Sequence, residues 1–295
     1  MDIQKPFEGL ICPMLTPFDK HGHIDLNTTR KLVDHLIARG VNSLLPCGTT
    51  GEGMLLTLEE RKKIAQTAVE QAAGRATVIV HTGCISTADT LTLTKHARDI
   101  GADAVSVITP YFYSYSDSEL FDHYAAVANA VPDLPVSLYA FPGNAKHEIS
   151  IYLFNQLRLT FPNILAIKLS SIDLIRFQEY IQLGGPNFNP LCGVDALFLP
   201  ALSIGSCGQV SGNANVFPEV FRRLLDAYLQ SDFETAKQQQ ILINEIRLLL
   251  KDHLAFFKAA MKLRGLPVGD PRPPIRSLSE QEIADLEQGI NNLDL

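Results

Sequence analysis

The sequence has no run of basic residues, no long apolar stretch and no Cys-x-x-Cys pair. Its formal net charge is −7, and without a basic stripe the chain lacks the electrostatic footprint of proteins that bind nucleic acid or anionic membranes. A membrane-spanning helix needs about 20 consecutive apolar residues, and no such run is present. We therefore predict that neither a nucleic acid nor a membrane is a partner of this protein.

The cysteines lie mostly in apolar, strand-like surroundings, at Cys12, Cys47, Cys84, Cys192 and Cys207. Reduced thiols that serve as small core residues are expected there, which predicts a cytoplasmic protein. The segment Met1–Pro6 carries an acid and a proline but no apolar core, so it is not expected to be a secretory signal. His21 and His23 flank a glycine without further ligands, so no metal site is predicted.

Apolar β-branched runs alternate with runs of helical period up to about residue 230. Eight of these runs are interpreted as strands: Gly9–Leu15, Ser43–Cys47, Thr77–His81, Ala104–Ile108, Pro135–Tyr139, Ile164–Ser171, Asn189–Cys192 and Gly208–Ser211. Eight parallel strands, each followed by a helix, close into a barrel of about 250 residues. An open, doubly wound sheet explains six strands more naturally than eight. The sequence therefore predicts a (β/α)8 TIM barrel.

Beyond residue 216 the pattern is purely helical, over Phe217–Leu229, Phe233–Leu263 and Ser279–Leu293. No linker rich in glycine or serine marks a separate domain. We predict that residues 1–230 form the barrel and that residues 231–295 form a C-terminal helical extension packed on it.

A lysine stands inside the apolar strand Ile164–Ser171. With a strand's period of two, Ala166, Lys168 and Ser170 share one small, polar face. Burial of an ammonium group is costly, so such a lysine either pairs with a carboxylate or loses its proton and becomes a nucleophile that can form a Schiff base. The alternative is a lysine at a strand end that reaches solvent or forms a local salt bridge.

Two other strands carry polar residues at their ends. The segment Gly48–Gly53 places Thr49 and Thr50 among glycines near a helix start, which suits a carboxylate, although an ordinary turn explains it equally well. Tyr139 ends the fifth strand and can shuttle protons if it faces inward, although an inward tyrosine is often only packed. In a barrel these groups and Lys168 meet at one mouth, which favours a Schiff-base enzyme acting on a 2-keto acid.

The chain resembles the family of dihydrodipicolinate synthase, N-acetylneuraminate lyase and 2-keto-3-deoxygluconate aldolase over most of its length. The resemblance rests on these segments: Gly48–Glu52, Thr109–Tyr111, Leu138–Tyr139 with Pro142, Ile167–Lys168, Gly193–Asp195 and Gly208–Asn215. It implies that Lys168 condenses with the ketone of pyruvate and that Tyr139 relays protons. It also implies that Thr49 and Thr50 hold the carboxylate, and that the backbone around Gly193 and Val210 lines the pocket.

The same resemblance implies a covalent lysine imine without cofactor or metal, and a homo-oligomer, either a tetramer or a dimer. Two positions depart from the pattern of the synthase. Asn144 stands where an arginine binds the carboxylate of the aldehyde, and an asparagine cannot supply that charge. Phe112 replaces the second tyrosine of a Tyr-Tyr pair, so that Tyr111 or Tyr113 is the candidate for completing the proton relay.

We therefore predict a class I aldolase that forms or cleaves a bond between pyruvate and an aldehyde, with a 2-keto-3-deoxy sugar acid as the favoured substrate. Asn144 and Ser170 are expected to contact the variable part of that substrate. The alternatives are 4-hydroxy-tetrahydrodipicolinate synthase, which Asn144 disfavours, a keto-deoxy sugar acid dehydratase, and a non-catalytic barrel that binds pyruvate.

Overall fold

The computed structural model describes residues 6–295 of the chain. Within that range eight parallel strands pair in sequence order, and the sheet closes because the first strand also pairs with the last. The strands are β1 (Gly9–Pro13), β2 (Ser43–Leu45), β3 (Thr77–His81), β4 (Ala104–Ile108), β5 (Val136–Ala140), β6 (Ile164–Leu169), β7 (Asn189–Cys192) and β8 (Gly208–Val210). The predicted (β/α)8 barrel is confirmed.

Helices surround the barrel and continue after its last strand. Their bounds are α1 (Leu26–Ala38), α2 (Leu58–Ala72), α3 (Thr87–Asp99), α4 (Asp117–Ala130), α5 (Pro142–Ala145), α6 (Ile151–Thr160), α7 (Leu174–Gly184), α8 (Phe198–Ser203), α9 (Pro218–Leu229), α10 (Phe233–Leu250), α11 (Leu254–Leu263) and α12 (Glu280–Asn291). No helix among residues 6–295 is long and apolar enough to cross a membrane.

The start of α2 shows how local sequence fixes an element. Thr57 Oγ1 accepts a hydrogen bond from the backbone N–H of Glu60 at 3.2 Å, and Glu60 Oε2 accepts one from the N–H of Thr57 at 2.9 Å. This reciprocal pair satisfies two N–H groups that have no partner within the helix, as expected for a capping box. The helix therefore begins where the Thr-x-x-Glu pattern predicts.

Several elements differ from their predicted bounds near the barrel mouth, since β1 ends at Pro13 rather than Leu15, β6 at Leu169 rather than Ser171 and β8 at Val210 rather than Ser211. Strand β2 ends at Leu45 rather than at Cys47, because the chain turns at Cys47, whose φ of 64° lies in the left-handed region. The short helix α5 was not predicted. Its first residue is Pro142, which suits a first helical position because its fixed φ is already helical and its missing N–H is not needed there.

The predicted helix Phe233–Leu263 is wrong as a single element, since the structure divides it into α10 and α11. Lys251 and Asp252 separate the two helices, and both have left-handed backbone, with φ of 54° and 47°. An apolar pattern of helical period continues across the break, so the sequence gives no sign of it. Such a conformation costs about 1–3 kcal/mol at each non-glycine residue and persists only where surrounding contacts hold it.

The barrel interior is apolar at its base and polar at its mouth. Inward-facing side chains of seven strands form the base together with Phe7, and they are Ile11, Leu45, Ile79, Ala104, Ala166, Leu191 and Val210. Because side chains alternate along each strand, the next inward residues, such as Tyr139 and Lys168, lie nearer the carboxyl ends of the strands. The fold thereby places these polar groups at one end of the barrel, above a packed base.

A buried ion pair joins α11 to the loop that follows β2. Lys258 Nζ lies 2.7 Å from Glu52 Oε1, and both side chains are almost fully excluded from solvent. The same ammonium donates to the carbonyl oxygen of Thr16 at 2.9 Å, and the backbone N–H of Arg272 donates to Glu52 Oε2 at 2.7 Å. Burial lowers the pKa of Lys258, and the carboxylate of Glu52 opposes that shift. The C-terminal helices thus hold the loop that carries Thr49.

Lys258→Met is expected to lower the free energy of unfolding by about 3–5 kcal/mol, because it leaves the carboxylate of Glu52 buried without its cation. Chemical denaturation of the variant and the parent protein measures this difference. Lys262→Met, at an exposed position on the same helix, is the matched control and should change stability by no more than about 0.5 kcal/mol. Equal losses in the two variants would contradict the structural role of the pair.

The division of the chain into residues 1–230 and 231–295 stays a prediction. Helix α10 begins at Phe233, shortly after α9 ends at Leu229, whereas residues 264–279 separate α11 from α12.

Candidate active site

A cavity of about 390 Å³ opens at the carboxyl ends of the strands. The residues predicted from sequence to catalyse or to bind substrate all line it, namely Thr49, Thr50, Tyr139, Asn144, Lys168, Ser170, Gly193 and Val210. Tyr111, the candidate for the proton relay, does not. Val210 belongs to the apolar base of the barrel, so it forms the floor of the cavity.

Lys168 lies on β6 with its side chain directed into the cavity, and it is 7% exposed. It is paired in register with Tyr139 of β5, and its Nζ lies 4.0 Å from the centre of that ring. Among residues 6–295 it forms no ion pair. These residues therefore do not support the alternative of a lysine held by a local salt bridge. A buried amine without a carboxylate partner is the arrangement that a Schiff-base nucleophile requires.

Gly193 gives Lys168 the space that its side chain occupies. A Cβ atom at Gly193 would lie 2.9 Å from Lys168 Cε and 2.3 Å from Ser170 Oγ. Both distances are shorter than van der Waals contact allows, so any larger residue would displace the lysine or the serine. The glycine therefore shapes the cavity through its missing side chain.

Tyr139 is almost fully buried beside Lys168. Its hydroxyl lies 3.5 Å from Thr49 Oγ1, a long contact, and its ring stacks against Phe141 with centroids 6.0 Å apart. The phenol thus connects the lysine to the threonine loop. A hydroxyl with one weak protein contact is free to exchange a proton with a bound substrate.

The loop after β2 has the features of a carboxylate cradle. The backbone N–H groups of Thr49 and Thr50 donate to no acceptor within the described part of the chain, and both side-chain hydroxyls border the cavity. A Cβ at Gly53 would lie 2.0 Å from the carbonyl oxygen of Cys47, so the tight turn depends on glycine there. Free N–H groups and hydroxyls together suit an anion.

Asn144 and Ser170, which are predicted to contact the variable end of a substrate, both line the cavity. Asn144 is exposed and lies on α5. Its backbone N–H donates to the carbonyl oxygen of Phe141 at 3.0 Å. Ser170 directly follows β6, with its N–H bonded to the carbonyl of Ala140 at 2.9 Å. Neither residue carries a charge, so this part of the wall can offer hydrogen bonds but no ion pair.

The aromatic residues after β4 lie outside the cavity. Tyr111 is half-buried and packs against the cluster that contains Tyr139, and burial raises its pKa. Phe112 has a φ of 82° and is 68% exposed, and Tyr113 is exposed beside it. Neither Tyr111 nor Tyr113 lines the cavity that the described residues of one chain form. Within one chain, therefore, neither tyrosine completes a proton relay in that cavity.

A buried histidine packs against the edge of Tyr139, with ring centroids 6.0 Å apart. His81 Nδ1 accepts from Arg61 Nη2 at 3.2 Å, so its proton lies on Nε2. Burial, and then the Arg61 cation, hold the pKa of His81 well below its usual value. This shift favours the neutral imidazole.

Sequence reasoning missed a polar network on the cavity wall. Asp195 accepts hydrogen bonds from Gln209, Ser211 and Asn213 at 2.7–2.8 Å. Burial raises the pKa of its carboxyl to about 6, although these hydrogen bonds oppose the shift. Asp195 and Asn213 lie within the family segments quoted above, so a signal for them was present.

The same wall includes Arg247 and Asp252, which belong to the C-terminal helical region. Arg247 Nη1 lies 3.3 Å from Asp252 Oδ2. No sequence signal pointed to these two residues, because Phe233–Leu263 was predicted to be one continuous helix.

Enzymes with a (β/α)8 barrel carry their active sites at the carboxyl ends of the strands, which is where this cavity and its lysine lie. The class of this protein is therefore a TIM-barrel enzyme. The sequence model of the Dihydrodipicolinate synthetase family matches residues 6–293 of this chain. The chain belongs to this family, whose members are carbon–carbon lyases that act through a lysine Schiff base. The resemblance seen in the motifs is confirmed.

Named relatives span the whole chain. The 4-hydroxy-tetrahydrodipicolinate synthase of Methanospirillum hungatei JF-1 is 32% identical over 293 residues, which is 98% of this chain and 100% of the relative. Dihydrodipicolinate synthase DapA-2 of Bacillus anthracis has a similar solved structure, with a TM-score of 0.94 at 32% identity over 98% of this chain and 99% of that one.

Two further solved structures are similar to this chain. YagE from E. coli K12, a prophage protein of the dihydrodipicolinic acid synthase family in complex with pyruvate, has a TM-score of 0.92 at 31% identity, covering 98% of this chain and 99% of its own. A catalytic lysine mutant of the sialic acid aldolase of Ruminococcus gnavus has a TM-score of 0.94 at 25% identity, covering 98% and 96%.

Proposed function

We propose that this protein is a class I aldolase that cleaves or forms a 2-keto-3-deoxy sugar acid, with Lys168 as the Schiff-base residue. The observation that carries the proposal is the buried amine of Lys168, which faces the cavity without a carboxylate partner in the described chain. The sialic acid aldolase of Ruminococcus gnavus, a relative with the same fold, is described as having a catalytic lysine. The complex of YagE with pyruvate supports a 2-keto acid as the ligand.

In the cleavage direction Lys168 Nζ adds to the ketone carbon of the keto acid. The Tyr139 hydroxyl gives its proton to the hydroxyl group that leaves as water, and a protonated imine and a Tyr139 phenolate result. The bond between C3 and C4 then breaks, and its electron pair moves into the imine to give an enamine. The C4 hydroxyl becomes the carbonyl of the aldehyde when it gives its proton to the Tyr139 phenolate oxygen. The enamine takes this proton back from Tyr139 at C3. Water then adds to the imine, gives a proton to the Tyr139 phenolate and releases pyruvate from the lysine.

Thr49 and Thr50 hold the carboxylate of the keto acid in this mechanism. Their free N–H groups and hydroxyls supply neutral donors, which stabilise the anion without forming an ion pair that competes with the imine. The hydroxyl of Thr49 lies beside that of Tyr139, so the carboxylate and the proton carrier lie next to each other. This arrangement positions the ketone carbon towards Lys168.

The polar wall favours a hydroxylated substrate. Asn144 and Ser170 line the cavity with an amide and a hydroxyl group, and these suit the hydroxyls of a sugar acid. Asn144 also lacks the charge with which the synthase binds the carboxylate of its aldehyde. Charge-assisted hydrogen bonds contribute about 1.5–3 kcal/mol each, so the loss of that arginine disfavours an aldehyde that carries a carboxylate.

A second candidate is the 4-hydroxy-tetrahydrodipicolinate synthase reaction. Relatives with that name match 98% of the chain, which favours it despite Asn144. The two remaining alternatives are dehydration of a keto-deoxy sugar acid through the same imine, and binding of pyruvate without turnover.

Offering 2-keto-3-deoxygluconate for cleavage, and pyruvate with aspartate semialdehyde for condensation, separates these functions. We expect kcat/KM for the sugar acid to exceed that for aspartate semialdehyde by roughly 10- to 100-fold, as the loss of one charge-assisted contact implies. Pyruvate is the product that identifies cleavage, and its absence despite loss of the sugar acid identifies dehydration. Efficient use of aspartate semialdehyde alone would assign the synthase reaction instead.

The other expectations remain proposals. We propose a homo-oligomer, a tetramer or a dimer, which sedimentation velocity would measure directly. A cytoplasmic location, the lack of a nucleic-acid or membrane partner, and the lack of a cofactor or metal also stay predictions.

A further inference from the structure

Part of the cavity wall comes from the chain after the barrel. Arg247 lies in the last turns of α10, and Asp252 lies in the break between α10 and α11. The break matters because it ends the helix and directs the chain so that the side chain of Asp252 borders the cavity. This segment is distant in sequence from Lys168 and Tyr139, yet it borders the same cavity.

Each carboxylate oxygen of Asp252 makes one contact with a neighbouring side chain. Its Oδ1 accepts from Asn213 Nδ2 at 2.8 Å, and its Oδ2 lies 3.3 Å from Arg247 Nη1. A carboxylate can accept about four hydrogen bonds, so each oxygen retains acceptor capacity. Asp252 is also half-exposed, which leaves it accessible to a bound molecule.

Asn213 fixes the position of Asp252 on the wall. Its Nδ2 donates to Asp195 Oδ2 at 2.7 Å as well as to Asp252 Oδ1 at 2.8 Å, so the amide links the two carboxylates. Its Oδ1 is excluded from solvent. The half-exposed carboxylate of Asp252 is therefore the acceptor that a hydroxyl group in the cavity can reach.

The charges on this wall oppose a further anion. Two carboxylates, of Asp195 and Asp252, face one guanidinium, of Arg247. Arg247 is already turned towards Asp252, so its charge is partly compensated. A second carboxylate or a phosphate placed there would meet like charge, whereas hydroxyl groups would meet acceptors and donors.

We infer that Asn213, Asp252 and Arg247 form a selectivity wall that binds the hydroxyl groups of an uncharged substrate tail and rejects a tail that ends in carboxylate or phosphate. Asp252 accepts from substrate hydroxyls, Arg247 donates to a hydroxyl oxygen, and Asn213 and Arg247 hold Asp252 in place. This inference rests on the proposed aldolase function and narrows its substrate to acids with a single anionic group.

The wild-type enzyme provides the first test. We compare kcat/KM for cleavage of 2-keto-3-deoxygluconate, its 6-phosphate, and 2-keto-3-deoxyglucarate, which carries a second carboxylate. The uncharged tail should be preferred at least about tenfold over both anionic tails. Equal or faster cleavage of either anionic substrate would overturn the selectivity wall and leave the aldolase function standing. If none of the three is cleaved while borohydride still traps pyruvate on Lys168, both the sugar-acid function and the inference fall.

Asp252→Asn provides the second test, because it removes one negative charge with little change of shape and frees Arg247 from its partner. We expect kcat/KM for the two anionic substrates to rise about tenfold through KM, and that for the uncharged substrate to fall about threefold. Glu287→Gln removes the same charge from an exposed site on α12 and should leave all three values unchanged. An identical response of the two variants would refute the role of Asp252, and thermal unfolding verifies that each is folded.

Discussion

Lys168→Met is expected to lower kcat/KM for cleavage of 2-keto-3-deoxygluconate by on the order of 10⁴-fold or more, as removal of a covalent nucleophile does. Methionine fills the space of the lysine stem beside Gly193 but cannot form an imine. The substitution removes a buried amine that has no ion pair in the described chain, so no partner is left unpaired and the fold should persist. Steady-state measurement of pyruvate release gives the rate.

Borohydride trapping identifies the residue that forms the imine. Reduction in the presence of pyruvate should place a stable adduct on the peptide that contains Lys168 in the parent protein, and no adduct should form in Lys168→Met. Lys95→Met, at an exposed position of α3, is the matched control and should retain both the adduct and the activity. An adduct on another lysine, or full activity of Lys168→Met, would reject the proposed mechanism.

Tyr139→Phe is expected to lower kcat by about 10²- to 10⁴-fold, the usual contribution of a positioned acid or base. The variant keeps the ring on which Lys168 Nζ lies at 4.0 Å and loses only the hydroxyl. That hydroxyl makes one long contact, with Thr49, so stability should change little. Pre-steady-state assays should show slow proton-transfer steps, while pyruvate trapping on Lys168 remains detectable at long times.

Two further tyrosine variants give this result its controls. Tyr152→Phe removes an exposed hydroxyl from α6 and should leave kcat unchanged. Tyr111→Phe tests the candidate relay, and since Tyr111 does not line the cavity we expect a loss of no more than about threefold, far below the range for an acid or base. A loss in Tyr111→Phe equal to that in Tyr139→Phe would assign Tyr111 to the relay, and near-normal kcat in Tyr139→Phe would remove Tyr139 from it.

Much of the barrel could be predicted because its signals are local. Runs of apolar, β-branched residues identified each strand, and the Thr57 and Glu60 pattern predicts the start of α2. The strand's period of two placed Lys168 and Ser170 on one face of β6, and both line the cavity. Strand ends were less accurate, as at Cys47, because a turn depends on backbone angles that an apolar pattern does not encode.

The distal wall of the cavity could not be predicted. Residues 233–263 keep a helical apolar pattern through Lys251 and Asp252, so the pattern predicts a continuous helix. The break exists where contacts with other segments, such as the hydrogen bond from Asn213 to Asp252, hold an unfavourable backbone conformation. Arg247 and Asp252 therefore entered the site only with the folded structure.

The sequence by itself determined which residues share a strand face, where α2 begins, and that a lysine, a tyrosine and two threonines lie on or after strands that end at one mouth. These properties depend on the period of the backbone and on neighbours within a few residues. Only the tertiary structure decided that Lys258 pairs with Glu52 beneath the threonine loop, and that Asp252 meets Asn213 on the cavity wall. Such contacts join segments far apart in the chain, and they form only because closure of the barrel and packing of the last helices bring those segments together.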